Sequence, residues 1–543
     1  MQTTRTLLAL SFLLCACQTA TAEKPAEADK TGALASQPAA PAGRADAGGA
    51  SAKQAAAAAQ AGQPAQAGQA AEAEGEHEIA QAESGGESNE DAAPEGIISR
   101  ASGRPDHPRA LEEIVKSGYI RVLTRNNDTS FFIYRGHRMG FDYEMGKKLA
   151  QKLGIRVDMI ITGSWNEMVP ELLKGEGDVI AAEVTVTPAR QKQVLFAEPW
   201  GKTHEVAVWK DGTTPIKSVE DLAGKEVHVR KSSTYFETLT LLSEKFKAAG
   251  LKEVRIKLVP DEMETETVLQ AVSRGEMLYT VADSLLAEIH AAAFPDLRIG
   301  PTLSGDRDLA WSVRPTDVKL QKVIDELLHE LKRKPDFNIM KKKYFEAERT
   351  LSSERKDKFY ASETGTLSPY DPIVLKYSQQ HDFDWRLVAA QIYQESHFDP
   401  SRKSWVGAQG LFQIMPATAR GLGISDSTDP EQSIRGGLKY MQQLSDHYKD
   451  VSDPIERYRF ALASYNSGFG HVDDARHLTK ADGKDSTRWR EVAAYLLRLA
   501  DHKYAARARF GFCRGSEPVE YVRHIDERYT GYAQLVPLKK EAK

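Results

Sequence analysis

The chain changes composition abruptly near residue 104, and this change limits how much of it can fold. From Gln18 to about Arg104 the sequence is mainly Ala, Gly, Gln, Glu and Pro, with almost no aromatic residues. Such a segment cannot bury enough apolar surface to offset the entropy lost on ordering. We therefore predict a disordered tether over residues 17–104. A little over 400 residues follow it, which is enough for two or three folded domains.

The first residues have the pattern of an export signal. Arg5 precedes the apolar stretch Leu7–Leu14, which is too short to cross a membrane as a helix. The run Leu14-Cys15-Ala16-Cys17 resembles a bacterial lipobox, which implies a lipoprotein signal peptide over residues 1–16 and a lipid on Cys17. An ordinary signal peptide, cleaved a few residues later, is the alternative.

The lipobox resemblance also implies a location. Gln18 follows Cys17 where an Asp would favour the inner membrane, so we expect a lipid anchor at the periplasmic face of the outer membrane of a Gram-negative bacterium. A flexible tether of this length has a root-mean-square reach of roughly 50 Å, which would bring an anchored protein to the cell wall. A spacer without a tuned length explains the segment equally well.

Residues 105–348 alternate between strand and helix patterns. Tyr119–Leu123 and Val157–Ile161 have strand patterns, and Tyr143–Leu153 between them has the pattern of an amphipathic helix. Asp178–Ala182 is typical of a buried strand. The pattern starts again at Glu226–Arg230, which predicts a second lobe at about 205–305. Alternation of this kind predicts layered α/β structure.

Four strings in this module resemble the family 3 periplasmic solute-binding proteins, whose two lobes close on an amino acid or a similar ligand. The resemblance implies that the Arg190 guanidinium clamps a ligand carboxylate, for which its fork geometry is suited. It also implies that Asp283 holds the ligand amine. Ser233 and Thr234 open a helix whose backbone amides favour an anion. The strings are Gly140–Glu144, Leu172–Asp178 with Trp165 ahead of it, Thr185–Arg190 and Phe196–Trp200.

Two of these residues have ordinary structural alternatives. Arg190 could form an ion pair at the edge of a lobe. Asp283 could cap the helix that is predicted to begin at Ser284. The residue types suit either role, so the sequence leaves both alternatives open.

Glu395 lies at the edge of an apolar helical stripe. Val388 and Ile392 recur at helical spacing upstream of it, and Pro400 is predicted to stop the helix. A carboxyl against apolar neighbours has its charged form disfavoured and its pKa raised, which suits a general acid near neutral pH. A Glu on a solvated helix surface is the ordinary alternative, and the motifs that follow argue against it.

Three further motifs follow Glu395. Ser404–Ala419 contains a glycine-rich crossing, an apolar run interrupted by Gln413, and a proline that begins a new helix. Ala463–Val472 ends a helix in an Asn/Gly-rich turn. Glu517–Val522 opens another helix, with a proline near its first turn. For Gln413 the alternative is a buried amide bonded to the backbone.

The four segments, in this order and spacing, resemble the catalytic domain of the soluble lytic transglycosylase superfamily, which has a goose-type lysozyme fold and cleaves peptidoglycan. The resemblance predicts a mainly α domain over residues 365–540. It implies that Glu395 is the only catalytic acid/base. The family often has Pro where Trp405 stands and Met where Phe412 stands, which affects substrate fit and not the chemistry. The implied substrate contacts are Ser404, Gln413, Met415, Thr418, Tyr465, Asn466 and Tyr521.

The resemblance also implies a reaction. Glu395 would protonate the oxygen of the β-1,4 bond between N-acetylmuramic acid and N-acetylglucosamine, then take the proton of the muramyl 6-hydroxyl as a 1,6-anhydro ring closes. Glycosidases that use water ordinarily need two carboxylates, and Ser404–Thr418 contains no Asp or Glu. A hydrolytic muramidase, a transport receptor and a catalytically silent wall-binding sensor are the alternatives.

The order of the parts resembles the membrane-bound lytic murein transglycosylase F group. It implies that the first module binds a stem peptide or an amino acid from the wall and modulates the second. The expected partners are therefore peptidoglycan glycan strands, such a ligand, and the outer membrane.

Charge and cysteine usage argue against other classes. A formal net charge of -5 with 27% charged residues gives no nucleic-acid footprint. The His and Cys positions lack metal-site spacing, and there is no Gly-rich phosphate loop, so we expect no metal or cofactor. After loss of the signal peptide and lipidation of Cys17, Cys513 would be the only free cysteine, so no intrachain disulfide is expected.

Overall fold

The computed structural model describes residues 107–346 and 359–536, together with Leu538. The predicted signal peptide, Cys17 and the tether over 17–104 lie outside these residues. The described chain forms a two-lobed α/β module followed by a mainly helical module, as the sequence predicts. None of its helices has both the length and the apolar character needed to cross a membrane.

A five-stranded sheet forms the first lobe, with Val179–Ile180 as its central strand. This strand and the two before it in the sheet are parallel, and Ser312–Val313 pairs antiparallel with both of its neighbours. The strand order is Arg156–Ile161, Tyr119–Thr124, Val179–Ile180, Ser312–Val313, Leu195–Phe196. The helices are Leu111–Ser117, Phe141–Leu153, Met168–Lys174, Pro188–Gln191, Val318–Lys332 and Pro335–Phe345.

A second five-stranded sheet forms the other lobe and includes the predicted strand Glu226–Arg230. A two-stranded pairing of Gly201–Thr203 with Arg307–Leu309 lies where the chain enters and leaves this lobe. The strand order is Arg255–Val259, Glu226–Arg230, Tyr279–Asp283, Glu205–Lys210, Leu297–Thr302. The helices are Val219–Leu222 (3-10), Thr234–Ala248, Thr265–Arg274 and Ser284–Ala293.

The helical module is built around one buried helix, Trp385–Ser396. All of its residues except Gln394 and Glu395, which are half-buried, are buried, because neighbouring helices cover it on several sides. The long helix Ser516–Leu535 packs along it. The other helices are Ala361–Thr364, Asp371–Gln379, Pro416–Leu422, Pro430–His447, Pro454–Ser467, Phe469–Ala481, Trp489–Arg498 and His502–Ala505.

The helix Ser516–Leu535 also contacts the first module. The Gln534 side chain accepts from the backbone N–H of Ile161 (2.8 Å) and donates to the carbonyl of Met159 (2.9 Å). Arg138 donates to the backbone carbonyl of Glu527 (2.9 Å) and pairs with its carboxylate (3.3 Å). Because these hydrogen bonds join side chains of one module to backbone groups of the other, they fix how the two modules are positioned relative to each other.

Candidate functional site

The helix that carries Glu395 ends one residue after it. Its last residue is Ser396, because His397 (φ 56°) and Phe398 (φ 64°) both adopt left-handed backbone conformations. A helix stopped by Pro400 would end at Asp399, so the predicted end was wrong by three residues. Non-glycine residues in this region cost on the order of 1 kcal/mol each, so surrounding contacts must hold them. The Tyr393 ring supplies two such contacts, at 4.7 Å from the His397 ring and 5.7 Å from the Phe398 ring.

Glu395 has the environment of a general acid. Burial raises the pKa of its carboxyl to about 7, while a hydrogen bond from the Tyr521 hydroxyl and the positive charge of Arg402 oppose the rise. Among the described residues that shift this pKa, none is a carboxylate. A carboxyl with a pKa near the working pH is half protonated there, which suits both giving and taking a proton.

This pKa predicts how turnover depends on pH. The reaction predicted from the sequence starts with the protonated carboxyl, so its rate should fall by about tenfold per pH unit above about 7. Replacing Arg402 by Gln removes a charge that lowers the pKa, so the descent should move to higher pH. Initial rates on soluble glycan strands from pH 5 to 9 would measure this, with thermal unfolding at each pH as the control. A rate that still rises at pH 9 would contradict it.

A buried polar network holds the Tyr521 hydroxyl. The Gln391 amide lies within 3.5 Å of this hydroxyl and accepts a hydrogen bond from Tyr458 (3.0 Å). Gln391 is fully buried one helical turn before Glu395. Sequence reasoning missed it, although a Gln four residues before the acid on an apolar face was a readable signal.

Two predicted substrate contacts, Ser404 and Gln413, form side-chain hydrogen bonds to backbone groups of the loop that follows this helix. Ser404 accepts from the N–H of Ala408 through its hydroxyl (2.9 Å). Gln413 has a left-handed backbone conformation (φ 49°). Its side-chain nitrogen, Nε2, donates to the backbone carbonyls of Arg402 (2.9 Å) and Gly410 (2.8 Å). The structural alternative for Gln413, a side-chain amide that bonds to the backbone, is therefore correct for Nε2.

The remaining predicted contacts fall into two groups. The Tyr465 hydroxyl donates to the carbonyl of Phe412 (2.6 Å), and the charge of Glu395 contributes to raised pKa values for both Tyr465 and Tyr521. These tyrosines therefore lie beside the acid. The hydrogen bonds and ring contacts of the described chain do not link Met415, Thr418 or Asn466 to Glu395. Met415 and Asn466 are exposed, and Thr418 is half-buried.

The two-lobed module contains a cavity lined by residues of both lobes. All four residues predicted from the sequence lie in its wall, namely Arg190, Ser233, Thr234 and Asp283. Ser233 caps the helix Thr234–Ala248, its hydroxyl accepting from the N–H of Phe236 (3.3 Å). The N-terminus of that helix therefore borders the cavity.

Neither structural alternative describes Arg190 or Asp283 fully. Arg190 donates to the carbonyl of Thr185 (2.9 Å) and takes part in none of the ion pairs between described residues. Asp283 occupies the N-cap position of the helix Ser284–Ala293, but its side chain makes no capping bond. Its carboxylate instead accepts from the Tyr235 hydroxyl (2.9 Å), and burial raises its pKa to about 6.

Sequence reasoning missed three other carboxylates in the cavity wall, those of Glu183, Glu264 and Glu266. Glu264 connects the lobes, because Arg125 of the first lobe pairs with it at 2.6 Å and Trp165 donates to it at 3.2 Å. Packing between the lobes brings these carboxylates together, and no local sequence motif predicts that they line the cavity. In the described ranges no group of three or more His, Cys, Asp or Glu side chains is arranged to hold a metal ion.

Two family models match the two modules. Residues 120–347 match the bacterial extracellular solute-binding proteins, family 3, and residues 372–487 match the transglycosylase SLT domain. Among solved structures, an ancestral arginine-binding protein bound to arginine is 29% identical and covers 42% of this chain and 98% of its own, with a TM-score of 0.37.

Curated relatives match across both modules. A membrane-bound lytic murein transglycosylase F from Desulfosudis oleivorans is 34% identical over 438 residues, which is 80% of this chain and 94% of that protein. Another of the same name, from Photobacterium profundum, is 32% identical over 81% of this chain and 85% of its own length. With a solute-binding module fused to a transglycosylase module, and with these relatives matched across both, the chain belongs to the membrane-bound lytic murein transglycosylase F family, and it is a peptidoglycan lytic transglycosylase with a ligand-binding module.

Proposed function

We propose that Glu395 alone supplies acid and base to this lytic transglycosylase. One observation carries the proposal: desolvation raises the pKa of the half-buried Glu395 to about 7, and no carboxylate is among the described groups that shift it. A glycosidase that activates water ordinarily needs a second carboxylate on the other face of the sugar. A single acid suits a reaction in which the substrate provides its own nucleophile.

The steps follow from the position of the proton. Protonated Glu395 gives its proton to the glycosidic oxygen, the C1–O bond breaks, and the N-acetyl group of the muramyl residue stabilises the developing cation. The carboxylate then accepts the proton of the muramyl 6-hydroxyl as its oxygen bonds to C1. The acid is regenerated and water does not enter the product. This course requires that water, the competing nucleophile, be kept from C1 during the reaction.

The Tyr521 hydroxyl holds the carboxyl oxygen in place between the two proton transfers. It donates to Oε1 of Glu395 and is itself held by Gln391, so Oε2 is left to face the substrate. Ser404, Gln413, Met415, Thr418, Tyr465 and Asn466 are proposed to contact the sugars. The support is their match to the superfamily motifs, together with the position of Tyr465 beside the acid.

Product mass tests the proposed chemistry. Purified peptidoglycan digested with the full-length protein should yield muropeptides with 1,6-anhydromuramyl ends, each lighter by one water than the corresponding reducing product. Digestion in water enriched in oxygen-18 provides the control, because a hydrolase incorporates the label and this reaction does not. Labelled reducing ends as the main products would identify a muramidase instead.

For the first module we propose an amino acid or a peptidoglycan stem peptide as the ligand, with binding that modulates cleavage. Arg190 would take a carboxylate and Asp283 an ammonium group, with Ser233 and Thr234 at the helix N-terminus beside them. These groups line one cavity and come from both lobes, an arrangement suited to a small zwitterion.

We also propose that Cys17 carries the lipid that holds the protein at the periplasmic face of the outer membrane. The support is the Leu14–Cys17 string and the Gln18 that follows it. The Cys17→Ser variant should leave the outer-membrane fraction and lose labelling by a fatty-acid analogue. Unchanged fractionation and labelling would argue for another anchor.

A further inference from the structure

A β-hairpin of the first module reaches the catalytic helix. Its strands, Phe132–Tyr134 and His137–Met139, are joined by Arg135 (φ 48°) and Gly136 (φ 75°). Positive φ at both central residues is typical of the tight turn that joins two hairpin strands. Arg135 is exposed while Gly136 is buried, so one side of the tip is pressed against other residues.

Gly136 contacts residues on both sides of Glu395 in the sequence. A Cβ at this position would lie 2.6 Å from Cε2 of Phe398 and 2.9 Å from Cδ2 of Tyr393. The carbonyl of Gly136 accepts from the Tyr532 hydroxyl (2.7 Å), which belongs to the helix behind the acid. Any residue other than glycine would have to displace one of these side chains.

Tyr393 is held by groups from the hairpin and from the last helix. Its hydroxyl is hydrogen-bonded to Nδ1 of His137. The guanidinium carbon of Arg528 lies 3.7 Å from the centre of its ring, a cation–π contact. Since the Tyr393 ring packs on the left-handed residues His397 and Phe398, the hairpin indirectly supports the turn that follows Glu395.

We propose that this hairpin is a positioning element of the active site, contributed by the ligand-binding module: it holds the left-handed turn His397–Phe398 and so sets the direction of the Glu395 carboxyl. The inference rests on the proposed role of Glu395. A general acid must lie within hydrogen-bond reach of the oxygen that it protonates, and a misplacement of about 1 Å can cost about 100-fold in rate.

The hairpin is fixed at its other end by the wall of the ligand cavity. Asn127 lines that cavity, and its side-chain oxygen accepts from the N–H groups of Ser130 (2.6 Å) and Thr129 (3.3 Å), at the start of the segment that leads into the hairpin. The position of the tip therefore depends on the first module as well as on the catalytic one.

The Gly136→Ala substitution tests this role in the full-length protein. It should lower kcat on soluble glycan strands by about 10-fold or more, because the added methyl displaces Tyr393 or Phe398, while KM changes by less than about twofold. Tyr393→Phe keeps the ring but removes the hydroxyl that bonds to His137 and to Arg528, and it should lower kcat by a few-fold, with unchanged thermal unfolding. If the alanine variant does not fold, the phenylalanine variant decides the question alone.

Gln534→Ala is the matched control. It removes two hydrogen bonds from the same contact between modules, but away from the turn at His397, so kcat should stay within twofold of the unmodified protein. An unchanged kcat in a folded Gly136→Ala or in Tyr393→Phe would overturn the proposal, as would an equal loss in Gln534→Ala. Release of anhydro products by the unmodified protein establishes the proposed chemistry separately, so the two failures are distinguishable.

Discussion

Replacing Glu395 by Gln should lower the release of soluble anhydromuropeptides from purified peptidoglycan by about 10³-fold, within the range for loss of a general acid–base. Gln has the same shape and can still accept from the Tyr521 hydroxyl, but it cannot give a proton to the glycosidic oxygen. Binding to insoluble peptidoglycan should be unchanged. Mass spectrometry of the soluble products and a sedimentation assay for binding measure the two effects.

Glu520→Gln is the control for this experiment. Glu520 is an exposed carboxylate on the same helix as Tyr521, paired with Arg523 at the surface, so its loss should leave turnover within twofold. Thermal unfolding should show both variants folded. Release by Glu395→Gln at the level of the unmodified protein would remove Glu395 from the mechanism.

Replacing Arg190 by Ala should weaken ligand binding in the first module by at least about 30-fold, because truncating one partner of a buried charge pair typically costs 2–5 kcal/mol. Burial lowers the pKa of this guanidinium, yet an arginine keeps its charge at any physiological pH, so a bound carboxylate would be fully paired. Calorimetric titration of the full-length protein with amino acids and with peptidoglycan stem peptides measures the loss.

Lys192→Ala is the corresponding control, since Lys192 is an exposed cation just after the short helix that carries Arg190. Its removal should leave affinity within twofold. If the unmodified protein binds no amino acid and no stem peptide, the proposed ligand class is wrong. If Arg190→Ala binds as tightly as the unmodified protein, the clamp is elsewhere in the cavity.

Local patterns were sufficient for much of the fold. The predicted strand at Tyr119–Leu123 is present as Tyr119–Thr124, and Glu226–Arg230 has the predicted bounds. The predicted strand Asp178–Ala182 is reduced to Val179–Ile180. The chain turns at Glu183, whose φ of 55° is incompatible with a strand. Strand pattern identifies an element well, but its ends depend on where neighbouring strands stop.

For the helix that carries Glu395, too, the sequence pattern predicted the element better than its end. The helical spacing of its apolar residues predicted a helix, which is observed as Trp385–Ser396. Its end was not predictable from Pro400, because the left-handed turn at His397 and Phe398 is held by contacts with Tyr393 and with a hairpin more than 250 residues away in the chain. No local rule favours two consecutive non-glycine residues in that conformation.

The sequence alone determined the order of the two modules and predicted Glu395 as the acid and Arg190 and Asp283 as ligand contacts, since each of these residues belongs to a short motif. The tertiary structure decided how these groups are tuned. The pKa of Glu395 depends on burial and on Tyr521, which lies 126 residues further along the chain, and the additional cavity carboxylates come from two lobes. The physical reason is that desolvation and charge interactions act through space, and only packing brings such distant residues within range of one another.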